Sequence, residues 1–260
     1  MASEVKTNKI SPSTSTTVTL GDASDTFVIP ASATLDVNGT IDITGATATG
    51  FPSSGFSDAY STVASSATYT VPADITKLLV FITGGGGGGG GGQNAVQHGS
   101  GGGSAATVIA RVTVVPADTI TVAVGAAGAG GGTAANGVDG SDSTFTHATG
   151  SGSGSMSTIT APGGKKGTYM HTTMPVAPAA GTVGANNEGI AILGGFGGSE
   201  ASGQGAPSFW GPGGRASEYL MMVATVGTAY GSGGGGAGSE TSYLSGAAGK
   251  SGICFILEYK

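Results

Sequence analysis

Charge is what this chain has least of. Nine Lys and Arg and 15 Asp and Glu make up 9% of its 260 residues, where a soluble globular domain carries about 25%. The net charge is −6, and the basic residues are scattered singly apart from Lys165-Lys166. Such a surface cannot neutralise a run of phosphates, so nucleic acid is not expected as a partner. Cysteine is nearly absent too. Cys254, in the apolar run Ile253-Cys254-Phe255-Ile256-Leu257, has no second thiol to pair with and reads as a small buried hydrophobe. No stretch approaches the ~20 apolar residues of a membrane span, so no membrane insertion is expected. The segment Met1-Ala2-Ser3-Glu4-Val5-Lys6 lacks the apolar centre of a secretory signal, which leads us to expect synthesis and folding in a cytoplasm.

What is abundant is glycine: 53 residues, nine of them consecutive at 84–92. That run directly follows the apolar stretch Lys77-Leu78-Leu79-Val80-Phe81-Ile82-Thr83. Standing alone it would read as a flexible linker. Here it recurs as Gly101-Gly102-Gly103, Gly130-Gly131-Gly132, Gly194-Gly195-Phe196-Gly197-Gly198 and 233–236, before the chain closes on another apolar strand. Alternation of glycine runs with buried strands inside one region points to architecture. Backbone amides and carbonyls need partners once buried. A polyproline-II helix points both outward, three residues per turn, so chains without side chains can approach and bond laterally. The sequence therefore predicts an ordered 84–92, about 28 Å long at ~3.1 Å per residue.

Organisation changes near residue 52. From Thr17 to Thr44, apolar residues alternate (Val18 and Leu20, Phe27 and Ile29, Leu35 and Val37, Ile41 and Ile43), the pattern of half-buried strands. Asn38-Gly39 is a tight-turn signal. These short strands carry too little apolar mass for a core of their own, and winding identical copies around one axis supplies it. We thus expect a parallel homotrimer with Phe27, Ile29, Leu35, Val37, Ile41 and Ile43 facing the axis. Phe51-Pro52-Ser53-Ser54-Gly55 breaks the pattern. The expected organisation is a β shaft, attachment and trimerisation segment at 1–52, a linker at 53–66 and a glycine-rich head at 67–260.

Within the head, Thr70-Val71-Pro72-Ala73-Asp74-Ile75 is echoed by Val114-Val115-Pro116-Ala117-Asp118-Thr119. In each a proline presets the turn and Asp bonds its neighbouring backbone. Strands are expected at 68–71, 78–83, 106–115, 119–124 and 252–259, whereas roughly 125–249 shows neither helical nor strand periodicity. The fold class is mainly β with a polyglycine- or polyproline-II-like region, the trimeric shaft leading into a β-sandwich-like head.

These residues carry a resemblance. Ala67-Thr68-Tyr69-Thr70-Val71-Pro72-Ala73 through Gly92, Ser208-Phe209-Trp210-Gly211-Pro212-Gly213-Gly214-Arg215 and the last apolar strand resemble the glycine-rich domain of bacteriophage tail fibres. Asn8-Lys9-Ile10-Ser11-Pro12 and the alternation from Leu20-Gly21-Asp22 to Ile43 resemble N-terminal segments of marine phage fibre proteins. The glycine-rich part is also similar in style to T-even-type adhesins, which pack polyglycine-II helices and present variable loops to a bacterial receptor. This chain departs from them in its shaft-like N-terminus and its one nine-residue glycine run. The resemblance implies a viral protein of the virion, assembled in the host cytoplasm. It would join other tail or baseplate proteins through its N-terminus and act in host attachment.

Catalytic patterns are not found. Gly249-Lys250-Ser251 imitates the end of a P-loop, but Leu244 stands where the first glycine belongs and a strand follows. Asp139-Gly140-Ser141-Asp142-Ser143 lacks the full calcium-loop pattern and its distal Glu, and reads as an Asp-stabilised turn. His98, His147 and His171 show no ligand spacing. No Gly-x-Ser-x-Gly sits between a strand and a helix, and the sequon Asn38-Gly39-Thr40 reads as a turn. We expect no enzyme activity, no cofactor and no metal.

Binding is better supported. Between glycine runs lie inserts with larger side chains, and bulky residues on loops held by a rigid frame suit recognition. Tyr169, Met170, His171 and Met174 are the first candidates for receptor contact, followed by Tyr219, Tyr230 and Tyr243. Phe209 and Trp210 read as structural packing, and Leu220-Met221-Met222-Val223 as either loop or short core strand. The expected function is a virion fibre or adhesin that binds a bacterial surface glycan or outer-membrane protein during adsorption. A head or neck fibre or decoration protein with weak adhesion is the alternative. An ice-binding glycine-rich protein is a further one, although the strict Gly-x-x repeat it would want is missing.

Overall fold

A computed structural model describes residues 56–93, 98–148, 156–169, 178–199, 203–217, 223–238 and 244–260. The chain divides into two compact units, Met1–Pro52 and Ser53–Lys260. The axis residues Phe27, Ile29, Leu35, Val37, Ile41 and Ile43 lie outside the described residues, as does the rest of 1–55.

The second unit is mainly β, with two antiparallel sheets and no helix among the described residues. The five-stranded sheet contains β1 (Phe56–Val63), β3 (Lys77–Thr83), β4 (Thr107–Thr113), β8 (Glu188–Ile192) and β9 (Ile253–Tyr259), ordered β1-β9-β3-β4-β8. The four-stranded sheet runs in the order β2-β5-β6-β7, from β2 (Ala67–Thr70), β5 (Thr119–Ala123), β6 (Ser143–His147) and β7 (Ile159–Ala161). Strand alternation decides which side chains meet. Leu78, Val80 and Ile82 of β3, Val108 and Val112 of β4, and Cys254 and Ile256 of β9 are buried on one face. They join Ile120 and Val122 of β5, Phe145 of β6 and Ile159 of β7 in a single apolar core.

The two echoed turns each carry the chain from one sheet to the other, β2 to β3 and β4 to β5. They also bond each other: Val71 donates its amide to the Asp118 carbonyl at 2.8 Å, and Ala117 donates to the Val71 carbonyl at 2.9 Å. The positive φ falls on Asp74 (71°) in the first turn and on Ala117 (67°) in the second, so the repeat of sequence is shifted by one residue in conformation. The Asp118 carboxylate accepts the Val115 amide at 3.2 Å and lies 3.6 Å from His147 Nε2.

Near the start of β2 and the end of β9, the Tyr69 hydroxyl donates to the Glu258 carboxylate at 2.8 Å, both residues being buried. Burial, with this bond to a carboxylate, pushes the Tyr69 phenol far above its ordinary range. Tyr69→Phe would leave a buried carboxylate oxygen without its donor. We expect it to cost about 1–3 kcal/mol, read as a lower urea midpoint with unchanged m. Cys254 is fully buried as expected, and desolvation pushes its thiol up to about 12. Phe81 stands 6.2 Å from Phe255 and 6.4 Å from both Phe209 and Trp210, centroid to centroid. Trp210 donates its indole N–H to Thr83 Oγ1 at 2.8 Å. The Phe209-Trp210 turn is thus structural packing against β3.

The five strands expected in the head are present within a residue or two, and those expected between Thr17 and Thr44 lie outside the described residues. Two expectations need correction. Residues 56–63, inside the stretch read as a linker, form β1 and pair with β9. The supposedly patternless 125–249 contains β6, β7 and β8. Three to five residues long, these strands have no Pro-Ala-Asp turn beside them to mark them, as the equally short β2 and β5 have, yet Phe145 and Ile159 are fully buried.

Candidate functional site

From the strand ends the chain continues into glycine-rich segments that bond one another laterally. The run 84–92, buried throughout, leaves β3 and forms the axis of this array. Its amides at Gly85, Gly88 and Gly91 donate to the carbonyls of Ser141, Val138 and Ala135. Those at Gly86, Gly89 and Gly92 donate to Lys250, Ala247 and Leu244, and those at Gly87 and Gly90 to Gly103 and Ser100. All eight bonds measure 2.8–2.9 Å. One neighbour is met every third residue, so the run has three residues per turn, the periodicity of polyproline II. The carbonyls repeat the rule. Gly85 and Gly88 accept from Gly164 and Gly167, Gly86 and Gly89 from Gly128 and Gly131, and Gly87 and Gly90 from Gly234 and Ala237. Three antiparallel neighbours take its amides and three parallel ones fill its carbonyls. Glycines that would be floppy in water thereby have all nine amides, and the carbonyls of Gly85 to Gly90, bonded inside the domain.

The spacing leaves no room for a side chain. A Cβ built on any residue from 84 to 91 would overlap a neighbouring backbone carbonyl. The array extends outward by the same rule. In 99–104, Ser100 and Gly103 donate to Thr168 and Lys165, Gly101 and Ser104 to Gly198 and Gly195, and Gly99 and Gly102 to Ala237 and Gly234. Gly249 and Lys250 are lattice members as well, donating to Gly128 and Ser232. The apparent P-loop ending therefore has its amides committed to backbone rather than free for phosphate.

Reading these registers along the axis sorts the connections. Strands β3 to β9 meet the lattice at one end. At the far end the chain passes through the turn around Ala134 (φ 57°), and the described residues flanking 94–97, 200–202, 218–222 and 239–243 lie there too. Tyr169 follows Thr168 at this end, its amide held by Asn136 Oδ1 at 2.8 Å. Pro178, by contrast, lies beside Gly194 near the sheets, and residues 170–177 lie outside the described residues.

Of the candidate contact residues, Tyr169 is placed at the far end. Tyr230 is not: it sits in a turn beside Ser251 and the start of the axial run, at the sheet end, which separates it from Tyr169. Met170, His171, Met174, Tyr219 and Tyr243 lie outside the described residues, as do Leu220, Met221 and Met222. Val223, next to them, is 73% exposed.

Polar residues that the sequence reading passed over trim the far end. Ser217 Oγ donates to the Gly238 carbonyl (2.9 Å) and accepts the Gly238 amide (2.6 Å). Ser100 Oγ accepts the Thr168 amide at 2.7 Å. Short side-chain oxygens able to bond local backbone are the available signal for such caps, but serine is too common here for it to stand out. On the flank of the lattice, Asp139 receives Lys165 Nζ at 3.0 Å and the Lys166 amide at 2.8 Å. Partial burial pushes its carboxyl up, but these contacts outweigh it and hold the group below its ordinary range. Asp142 accepts the Gly163 amide at 2.9 Å. Both carboxylates of the would-be calcium loop thus serve the lattice. Among the described residues, no three His, Cys, Asp or Glu side chains gather as a metal site.

A sequence model of the glycine-rich domain family matches residues 61–259, and the chain belongs to that family. No curated protein matches it.

Proposed function

We propose that this chain is a phage virion fibre protein that adheres to the bacterial surface through the lattice end remote from the sheets. One observation carries the reading. A frame without side chains, its axial amides and carbonyls bonded internally, brings connections of varied sequence to one end. Such a frame tolerates change in those connections without unfolding, because its stability resides in backbone bonds that do not involve them. Aromatic rings with a polar edge, as at Tyr169, suit stacking on sugars or filling pockets of an outer-membrane protein.

In this reading residues 1–52 form the trimeric shaft and bind tail or baseplate proteins. The second unit is the receptor-binding, sandwich-like head, and three copies raise avidity so that weak single contacts suffice. The test is competition. Purified chain added to host cells should block adsorption of the virus that carries it, with saturation. Absence of any block, with the protein located on the head or neck in virion images, would favour the decoration reading.

A further inference from the structure

The last segments of the domain occupy the middle of it. Strand β9 lies between β1 and β3, pairing with both, and without it the five-stranded sheet is cut in two. The stretch leading into it, 244–252, takes one third of the axial amides through Leu244, Ala247 and Lys250. In turn it gives the amides of Gly246, Gly249 and Gly252 to Gly131, Gly128 and Gly125, and that of Ala247 to Gly235. A Cβ on Gly249 would overlap the Gly86 carbonyl, so the slot it fills is as tight as the axis. Among the described residues, its pairings with β1, β3 and the axial run are also the most distant in sequence. The Tyr69–Glu258 bond spans 189 residues, whereas the Thr83–Thr107 contact joining β3 to β4 spans 24.

We infer that residues 244–259 are a closing strap: the sheets and the glycine lattice assemble around an open slot, and this segment enters last. Loop-closure entropy sets the order, because near pairs are closed before distant ones reward the chain. Until the strap enters, β1 lacks its partner strand. The amides of Gly86, Gly89 and Gly92 are also without their acceptors, so an unstrapped chain has an unfinished lattice from the sheets to the far end. The device makes formation of the whole domain conditional on this segment, whatever the far end binds.

The threefold register supplies a distinctive test. In pulse-labelled hydrogen exchange during refolding of the full chain, protection at Gly86, Gly89 and Gly92 should appear with β9. It should be at least about ten-fold slower than in β3 and β4, as contact order implies, and later than at Gly85, Gly88 and Gly91, which bond 135–141. Simultaneous protection of all these glycines with β3 and β4 would overturn the strap. Should the chain not refold from denaturant, timed proteolysis during cell-free synthesis of the full chain answers the same question. Cleavage within β1, whose partner strand is β9, should persist until 244–259 has been made and then cease. Resistance before that point would overturn the inference.

Discussion

Gly88→Val is expected to abolish the native fold rather than trim its stability. A Cβ at this position would overlap the Ala129 carbonyl, with Gly128 close behind. The same residue donates to Val138 and accepts from Gly167, so moving one neighbour to admit the side chain disturbs the other bonds. Ordinary overpacking of a core costs about 1–3 kcal/mol because side chains yield. Here the obstacle is backbone on every side, and we expect a loss of at least about 5 kcal/mol, beyond that range. At ~2–4 °C per kcal/mol for a domain of this size, the melting midpoint should fall by 10 °C or more, on the order given by the unfolding entropy. Gly132→Ala is the matched control. Nothing stands within 4 Å of a Cβ there, and the change should stay within about 0.5 kcal/mol of neutral. Equal effects of the two substitutions in a thermal melt would mean that the run is not packed.

The second large effect concerns adhesion. Replacing Tyr169, Met170 and His171 together by Ala should abolish competition for adsorption while leaving mass and melting point unchanged. Tyr169 stands at the far end, its backbone fixed by Asn136, so its side chain can be removed without touching that bond. Truncation of a central aromatic contact commonly costs 2 kcal/mol or more of binding, roughly a thirty-fold loss per site, and threefold presentation would multiply it. Tyr230→Ala serves as the comparison: it lies at the sheet end and should bind as the unchanged chain does. If the triple variant still competes fully, the contact surface lies elsewhere.

How far the sequence foretold this arrangement depends on which force leaves a mark in it. The glycine run was legible as structure because it abuts β3, and no solvated linker needs an apolar strand on one side and further glycine runs beyond. Strands β3 and β9 announced themselves through unbroken apolar runs, β4 through an apolar stretch interrupted by Arg111, and the Pro-Ala-Asp turns through proline. Strand β1 was hidden because Phe51-Pro52-Ser53-Ser54-Gly55 reads as a break, and its polar residues suit the edge position it takes beside β9. Strands β6, β7 and β8 escaped because no Pro-Ala-Asp turn flanks them, as one flanks the equally short β2 and β5. Phe145 alone among glycine, serine and threonine was the trace of β6, and its complete burial shows that an isolated large apolar residue in such a stretch deserves a place in the core.

The lattice partners were not legible at all. Which glycine bonds which depends on register between segments far apart in the chain, and a residue without a side chain carries no mark of its neighbour. The same blindness explains Tyr230. It looks like the other tyrosines in composition, but the alternation of lattice directions puts its turn at the opposite end. Ser217 and Asn136, whose bonds trim the far end of the lattice, were lost among many like residues.

The central claim is that residues 84–92 form the bonded axis of the domain, and equilibrium amide exchange over that run tests it most directly. With all its described amides donated to carbonyls of other segments at 2.8–3.2 Å and the run buried, the account predicts exchange as slow as in β3 and β4. Exchange across these nine glycines at the rate of an unstructured peptide would contradict it.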